Sequence, residues 1–184
     1  NKGTVSGSGE NIGGLVGYNE ESSIENTYNA GAVTGNGNYV GGLIGYNNGG
    51  SITSSYNKGT VEGDKNYIGG LIGWNYGNIT FSYNLGKISG VSYVGGLVGN
   101  NNNGTITDSY NMGAISATSD CVGGITGYNE NSGNIIRSYN LGAVSGNNDV
   151  GGVVGLNRGS ITFNFSTGAV TGSSSVGGLV GENY

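Results

Sequence analysis

The six residues Val-Gly-Gly-Leu-Ile-Gly at Val40–Gly45 recur, with conservative substitutions, seven times along the 184-residue chain. Successive copies begin 28, 28, 26, 28, 28 and 26 residues apart. A fixed period of this length indicates stacked supersecondary units, because one such unit cannot bury its apolar face alone. The copies begin at Ile12, Val40, Ile68, Val94, Val122, Val150 and Val176.

Each repeat contains three short apolar-centred segments separated by glycine and asparagine. In the second repeat these are Val40–Asn47, Ser51–Asn57 and Thr60–Gly63, followed by the variable loop Asp64–Tyr67. Segments of this length indicate strands, and no helical period is present. The sequence therefore predicts an all-β fold, a three-sided parallel β-solenoid of about seven coils of 26–28 residues. Coils about 4.8 Å apart would make a rod roughly 30 Å long.

Three columns of the aligned repeats hold only aliphatic residues, and we predict that they form the core. A fourth column admits a threonine and has the opposite strand parity to the leucines, which predicts an outward or half-covered position. The leading Val or Ile of each copy shares that parity, but we expect the following Gly-Gly pair to turn it inward. The core columns are Ile24, Ile52, Ile79, Ile106, Ile135, Ile161; Val5, Val33, Val61, Ile88, Ile115, Val144, Val170; and Leu15, Leu43, Leu71, Leu97, Ile125, Val153, Leu179. The fourth column is Val16, Ile44, Ile72, Val98, Thr126, Val154 and Val180.

Asparagine occupies two further columns. Side-chain amides stacked at strand spacing can hydrogen-bond from coil to coil, so we predict two structural asparagine ladders. Ser166 takes the last position of the second ladder. The ladders are Asn19, Asn47, Asn75, Asn101, Asn129, Asn157, Asn183 and Asn29, Asn57, Asn84, Asn111, Asn140.

The bulk composition excludes several classes of function. Charged residues are only 9% and the net charge is −5, so nothing indicates binding to nucleic acid or to an anionic membrane. The longest apolar runs are a few residues, which predicts no membrane insertion. The chain has no histidine and one cysteine, Cys121, so we expect no disulfide, metal site or cofactor. The carboxylates fall mostly in turns, and we expect no enzymatic activity.

We interpret residues 1–184 as a single repeat array without an internal boundary. The first residues align with the end of a repeat, and the last follow the start of another. Both ends therefore predict that the chain is a fragment of a longer solenoid.

The stretches Gly14–Gly17 and Gly96–Gly99, both Gly-Leu-Val-Gly, resemble the GLUG motif of bacterial surface proteins. The resemblance extends to the Ser-Tyr-Asn-x-Gly-x-Val-Ser-Gly half of each repeat, as at Ser138–Gly146, and covers essentially the whole chain. Two copies depart from it, with Ile125-Thr126 and Val153-Val154. The resemblance implies an exported bacterial protein, either an adhesin or a non-catalytic region of a large secreted enzyme. Some immunoglobulin A-cleaving metallopeptidases are similar in carrying such repeats.

Aromatic residues supply the sharpest functional hypothesis. One column before the hexapeptide holds Tyr39, Tyr67 and Tyr93, then Cys121, Asp149 and Ser175, and its mixed chemistry predicts solvent exposure. A second column begins with Tyr18, Tyr46 and Trp74. Such stripes could bind glycans or a surface protein, or could merely shield the ladder below them. A third column is aromatic in every coil, and we predict a buried or corner stack. Its members are Tyr28, Tyr56, Tyr83, Tyr110, Tyr139 and Phe165.

The sequence leaves several functions open. The first is a structural or adhesive repeat at the bacterial cell surface or outside the cell, acting as a rigid stalk with weak multivalent contacts. The second is a non-catalytic scaffold of a large secreted enzyme, and the third is end-to-end self-association into filaments. Ice binding ranks last, because Glu25 and Ile136 interrupt the only threonine row.

Overall fold

The computed structural model of the chain describes all residues, Asn1–Tyr184, and consists of β-strands joined by turns and bends. Its strands form five parallel sheets, and each strand pairs with its counterpart in the next coil. The all-β parallel β-solenoid is therefore confirmed, with about six turns, since three sheets hold seven strands and two hold six. No helix in it is long and apolar enough to cross a membrane.

We number the sheets 1 to 5 in the order in which one coil visits them. Sheet 1 contains Val5–Gly7, Val33–Gly35, Val61–Gly63, Ile88–Gly90, Ile115–Ala117, Val144–Ser145 and Val170–Thr171. Sheet 2 contains Ile12–Gly13, Val40–Gly41, Asn66–Gly69, Ser92–Gly95, Val122–Gly123, Asn148–Gly151 and Ser174–Gly177. Sheet 3 contains Val16–Glu20, Ile44–Asn48, Ile72–Asn75, Val98–Asn101, Thr126–Asn129, Val154–Asn157 and Val180–Asn183. Sheet 4 contains Ile24–Glu25, Ile52–Thr53, Asn78–Thr80, Thr105–Thr107, Asn134–Ile136 and Ser160–Thr162. Sheet 5 contains Tyr28–Asn29, Tyr56–Asn57, Tyr83–Asn84, Tyr110–Asn111, Tyr139–Asn140 and Phe165–Ser166.

Five strands per coil replace the three that the sequence predicts, because two of the predicted segments bend in the middle. The first bends between Gly41 and Ile44. The second bends at Ser54, whose φ of 49° lies in the left-handed region and therefore interrupts the extended conformation of the strand. The three-sided outline itself stays a prediction.

The fourth column, expected to be outward or half-covered, is instead buried in the core. Ile44, Ile72 and Val98 are fully buried beside the leucines. The reason is a local break in strand alternation: the amides of both Leu43 and Ile44 donate to the carbonyl of Leu71, each at 2.9 Å. Two consecutive amides that bond to one carbonyl keep two consecutive side chains on the same side, as in a β-bulge.

The apolar interior is divided into two clusters. One contains the leucine column, its Ile/Val neighbour and the sheet 4 isoleucines. The other contains the sheet 1 column and the leading Val or Ile of each copy, which is turned inward as predicted. Gly42 lies in the chain between Val40 of one cluster and Leu43 of the other, and Asn57 packs on it: a Cβ on Gly42 would be 2.5 Å from Asn57 Cγ. The predicted core columns are thus confirmed in the inner coils, but as parts of two cores; at the ends of the array their members are only partly buried, and Leu179 is 37% exposed.

All three glycine columns of the hexapeptide are required for space, and Gly42 and Gly73 represent two of them. A Cβ on Gly42 would also lie 2.2 Å from the carbonyl oxygen of Gly70 in the next coil. A Cβ on Gly73 would lie 2.6 Å from the carbonyl carbon of Tyr39. Neither glycine has a positive φ. The close approach of neighbouring backbones, and not an unusual backbone conformation, therefore explains the repeated glycines.

The two asparagine ladders are confirmed. Asn57 Nδ2 donates to Asn84 Oδ1 at 2.9 Å and to the carbonyl of Gly59 at 2.7 Å, and Asn57 Oδ1 accepts from the amide of Gly59 at 3.2 Å. Asn47 Nδ2 likewise donates to Asn75 Oδ1 at 2.9 Å. Each amide therefore joins two coils and also fixes its own turn, so these buried polar groups are satisfied.

Replacing Asn84 by alanine tests the ladder. Asn84 Nδ2 donates to Gly86 and Asn111, both at 2.8 Å, and the loss leaves several buried partners unpaired. We expect the free energy of unfolding to fall by about 3 kcal/mol or more, measured by urea denaturation. The control Asn102→Ala removes a half-buried side-chain amide whose one hydrogen bond is a long one, from Nδ2 to the hydroxyl of Tyr76 at 3.4 Å. It should lower the free energy of unfolding by less than about 1 kcal/mol. Equal losses would contradict a structural ladder.

Replacing Gly73 by alanine tests the requirement for space. The new methyl group would meet fixed backbone atoms of Tyr39 and Gly45, so we expect a loss of about 3 kcal/mol or more in unfolding free energy. Gly9→Ala is the matched control, because a Cβ at that position would have no heavy-atom neighbour within 4 Å. A Gly73→Ala variant as stable as Gly9→Ala would refute the steric explanation.

Candidate aromatic binding face

One side of the solenoid carries a continuous group of aromatic rings, which we call the aromatic cluster. It lies over sheets 2 and 3 and includes all six residues singled out from the sequence, together with Tyr76 and Tyr128. Its members are Tyr18, Tyr39, Tyr46, Tyr67, Trp74, Tyr76, Tyr93 and Tyr128.

Two stacks of rings run along the cluster from each coil to the next. Tyr67 stacks on Tyr39 and on Tyr93, with ring centroids 5.4 and 4.9 Å apart and planes inclined by 18° and 17°. Tyr46 stacks on Tyr18 and on Trp74, at 5.4 and 6.3 Å. Parallel in-register pairing places like residues in neighbouring coils side by side, so each stack follows from the repeat.

The ring planes of one stack are nearly perpendicular to those of the other, and the two stacks interlock. Trp74 meets Tyr39 at 90° and 5.5 Å, and meets Tyr67 at 72° and 4.8 Å. Edge-to-face contacts of this kind contribute about 0.5–1.5 kcal/mol each beyond their burial. The cluster is therefore held as a rigid surface, and most ring faces are covered by neighbouring rings.

The column that the sequence predicts to be exposed is half-buried. Tyr39, Tyr67 and Tyr93 are all of intermediate exposure, and Cys121 in the same column is only 5% exposed. All four have a φ between 55° and 64°. This left-handed conformation lays the column's backbone against the glycine of the adjacent sheet 3 strand, which removes part of its surface from solvent.

Each tyrosine of this column keeps a phenol hydroxyl that is available for hydrogen bonding. No hydroxyl oxygen of Tyr39, Tyr67 or Tyr93 is both buried and unpaired. The indole Nε1 of Trp74 is buried and has no hydrogen-bond partner, so it lies beyond the reach of a ligand. The surface available for binding consists of ring edges, phenol hydroxyls and the half-exposed ring of Tyr18.

Carboxylates surround the aromatic cluster. Burial raises the pKa of Tyr39, and the charge of Glu10 raises it further. Burial also raises the pKa of Tyr67 and of Tyr93, with smaller contributions from neighbouring groups that include Glu130 for Tyr67. The phenols therefore stay neutral at physiological pH, and the acidic surroundings disfavour an anionic partner.

Sequence reasoning missed two features of the cluster. Tyr76 stands two positions after Trp74 and therefore outside the aromatic column, yet the centroid of its ring lies 6.1 Å from that of Tyr46 and 6.2 Å from that of Trp74. Asn100 interrupts the column, is 1% exposed, and donates to Glu130 Oε1 at 2.8 Å. Column alignment shows which residues share a position, but it does not show which neighbouring columns touch.

The third aromatic column forms a continuous stack on sheet 5. Its ring centroids are 4.8–5.1 Å apart and its planes are inclined by 3–6°. Of the two predicted alternatives, a buried stack or a corner stack, burial is wrong, because the tyrosines are half-buried and Phe165 is 50% exposed. Strand alternation turns Asn57 inward and therefore turns the adjacent Tyr56 outward.

The residue two positions before this stack lies on the outer surface at the bend between sheets 4 and 5. The sequence indicates a bend there, and the structure gives its cause: every residue of the column has a φ of 45–57°. Asp108 and Arg137 occupy this column in adjacent coils and form a bidentate ion pair, with Nε–Oδ1 at 2.8 Å and Nη2–Oδ2 at 2.7 Å. Arg137 lowers the pKa of Asp108.

Other candidate sites are sparse. A groove of about 470 Å³ on sheet 1 is lined by Glu62, Asp64, Ser89 and Thr118 and includes no member of the aromatic cluster. No three His, Cys, Asp or Glu side chains are grouped to hold a metal ion. Cys121 donates to Asp149 Oδ2 at 3.8 Å, and burial raises the pKa of its thiol to about 12. A thiol with this pKa is a poor nucleophile.

Tyr46 gives the cluster a measurable pH dependence. Burial, followed by the charge of Tyr76, raises its pKa to about 12 in the folded state. The unfolded value is near 10, so the folded state binds more protons between these values. The resulting stability is complete below about pH 10 and is lost as the pH rises through about 12. We expect Tyr46→Phe to lose less stability over this range in urea denaturation, and parallel profiles would contradict the assignment.

Comparison with known proteins agrees with the repeat. The family model of the GLUG motif matches residues 8–34 and 36–62. No curated protein and no solved structure gives a significant match. The strand register of these two repeats continues beyond residue 62 to the last coil, where Val154 pairs with Val180. The chain therefore contains two recognised GLUG motifs within a regular parallel β-solenoid.

Proposed function

We propose that this chain is a structural repeat module of an exported bacterial surface protein, and that it acts as a rigid stalk without catalytic activity. The observation that carries the proposal is the unbroken coil-to-coil register, in which five sheets and two asparagine ladders connect every turn to the next. A solenoid whose units contact only their neighbours transmits a constant geometry along its length. Its location at the cell surface rests on the GLUG resemblance.

We further propose that the aromatic cluster makes weak, multivalent contacts with neutral glycans. Its rings are interlocked, so a ligand binds without ordering them first, which lowers the entropic cost of association. Because neighbouring rings cover most faces, sugar hydroxyls are expected to bind the phenol groups of Tyr39, Tyr67 and Tyr93. The acidic surroundings favour neutral over acidic sugars.

A glycan-binding measurement with two triple variants tests this role. Changing Tyr39, Tyr67 and Tyr93 to asparagine keeps the left-handed backbone accessible, since Asn11 occupies the same column with a φ of 58°. Changing them to phenylalanine keeps the stacks and removes only the hydroxyls. We expect the parent to bind immobilised neutral glycans, and both variants to lose at least about tenfold in apparent affinity.

Phe81→Asn is the matched control, because it makes a comparable aromatic-to-asparagine change at a left-handed position on another side of the solenoid. It should bind like the parent. Binding that the asparagine variant retains would refute the assigned face. If the parent bound no glycan and no surface protein, the adhesive role would be refuted, and only the proposed role as a rigid stalk would remain.

A further inference from the structure

The outer surface of sheet 5 and its preceding bend carries a concentrated apolar patch. In the third coil, Phe81, Tyr83 and Leu85 emerge on one side, since the alternate residues Ser82 and Asn84 are fully buried. The same three positions in the next three coils complete a patch that we call the sheet 5 face. Its remaining members are Asp108, Tyr110, Met112, Arg137, Tyr139, Leu141, Phe163, Phe165 and Thr167.

Six of the chain's ten exposed large hydrophobic side chains lie on this face. Phe81 is 60% exposed and Met112 is 51% exposed, although both lie inside the array with a paired coil on either side. Their exposure is therefore not an effect of an open sheet edge. A concentration of apolar side chains on one surface is typical of an interaction site.

The order of residues on this face is self-complementary. The first of the three positions is occupied in the four successive coils by Phe81, Asp108, Arg137 and Phe163, in the order apolar, acidic, basic, apolar. A two-fold axis along the strand direction, between the fourth and fifth coils, reverses this order in a facing copy. Phe81 then lies opposite Phe163, and Asp108 lies opposite Arg137. An isologous interface requires this kind of matching.

The other two columns match under the same axis, except that Leu85 lies opposite Thr167. Tyr110 lies opposite Tyr139, and Met112 lies opposite Leu141. The charges of Asp108 and Arg137 cancel within each copy, so the face is electrically neutral in a chain of net charge −5. A second copy can therefore approach here without the repulsion that it meets elsewhere.

We propose that two copies of this chain associate side by side and antiparallel through the sheet 5 face, independently of the aromatic cluster. The face spans four coils of about 4.8 Å and about 13 Å of strand, roughly 250 Å² per copy. A stable complex buries about 800 Å² per partner. We therefore expect a weak dimer, with a dissociation constant of about 0.1–1 mM.

Sedimentation of the chain over a range of concentrations tests the dimer. The average mass is expected to rise from 18.4 kDa toward twice that value as the concentration approaches about 1 mM. A constant 18.4 kDa would overturn the proposal. An average mass that rises above that of a dimer, and does so equally in the Phe81→Asn variant, would indicate end-to-end association. This result would also overturn the proposal.

Mixing two charge variants tests the antiparallel register. Asp108→Arg places two cations on the face and Arg137→Asp places two anions, so each variant alone should self-associate at least about tenfold more weakly than the parent. An equimolar mixture restores opposite charges across the two-fold axis, although each chain keeps its internal repulsion. We expect the mixture to dimerise, and a mixture that stays monomeric would overturn the antiparallel arrangement.

Phe81→Asn and Met112→Ser test the apolar contacts. Asparagine occurs at Asn26 in the column of Phe81 with a φ of 51°, so the fold tolerates the change. Each substitution should weaken the dimer about tenfold or more. Glu62→Ser, at an exposed position on sheet 1, is the control and should leave the dimer unchanged. Circular dichroism verifies that each variant keeps its β-structure, and a dimer that both apolar substitutions leave intact would refute this face.

Discussion

The close approach of successive coils is the constraint on which the rest of the structure depends. In every turn, five short strands each pair with the corresponding strand of the next turn. Strands of two or three residues are too short to be stable alone, so they depend on this pairing. The backbones can come this close only where side chains are absent, which is why Gly42 and Gly73 stand against backbone atoms of neighbouring strands. The hexapeptide is thus a packing requirement repeated once per coil.

The polar interior follows from that spacing. The buried side chain of Asn57 packs on Gly42, and an unpaired amide there would cost about 1–3 kcal/mol. Stacking at the strand distance gives every such amide a partner in the next coil, so the ladder is stable only as a series. A buried serine series supports the sheet 4–5 bend in the same way, since the amide of Ser55 donates to Ser82 Oγ at 3.2 Å. Register errors would leave these groups unpaired, so the ladders specify the register as well as stabilise it.

Bulky residues in the left-handed conformation connect the fold to its surfaces. Tyr67 and Phe81 have φ values of 64° and 50°, at positions where asparagine or glycine would be less strained. Such a conformation costs about 1–3 kcal/mol per residue. Both residues lie on outer faces, Tyr67 in the aromatic cluster and Phe81 on the sheet 5 face. The strain therefore accompanies side chains that the interior does not require, which agrees with a role for both surfaces in binding.

The sequence by itself determined the parallel solenoid, its register, the asparagine ladders and the aromatic stacks. In-register pairing places equal repeat positions side by side, so a column read from the sequence is a column in the structure. The tertiary structure alone decided which columns face inward and which neighbouring columns meet. Ile44 is buried because two amides share the carbonyl of Leu71, and Trp74 meets Tyr39 because a left-handed residue turns the chain between sheets. Bulges and left-handed corners break the two-residue alternation of strands, and only the folded backbone shows where these breaks occur.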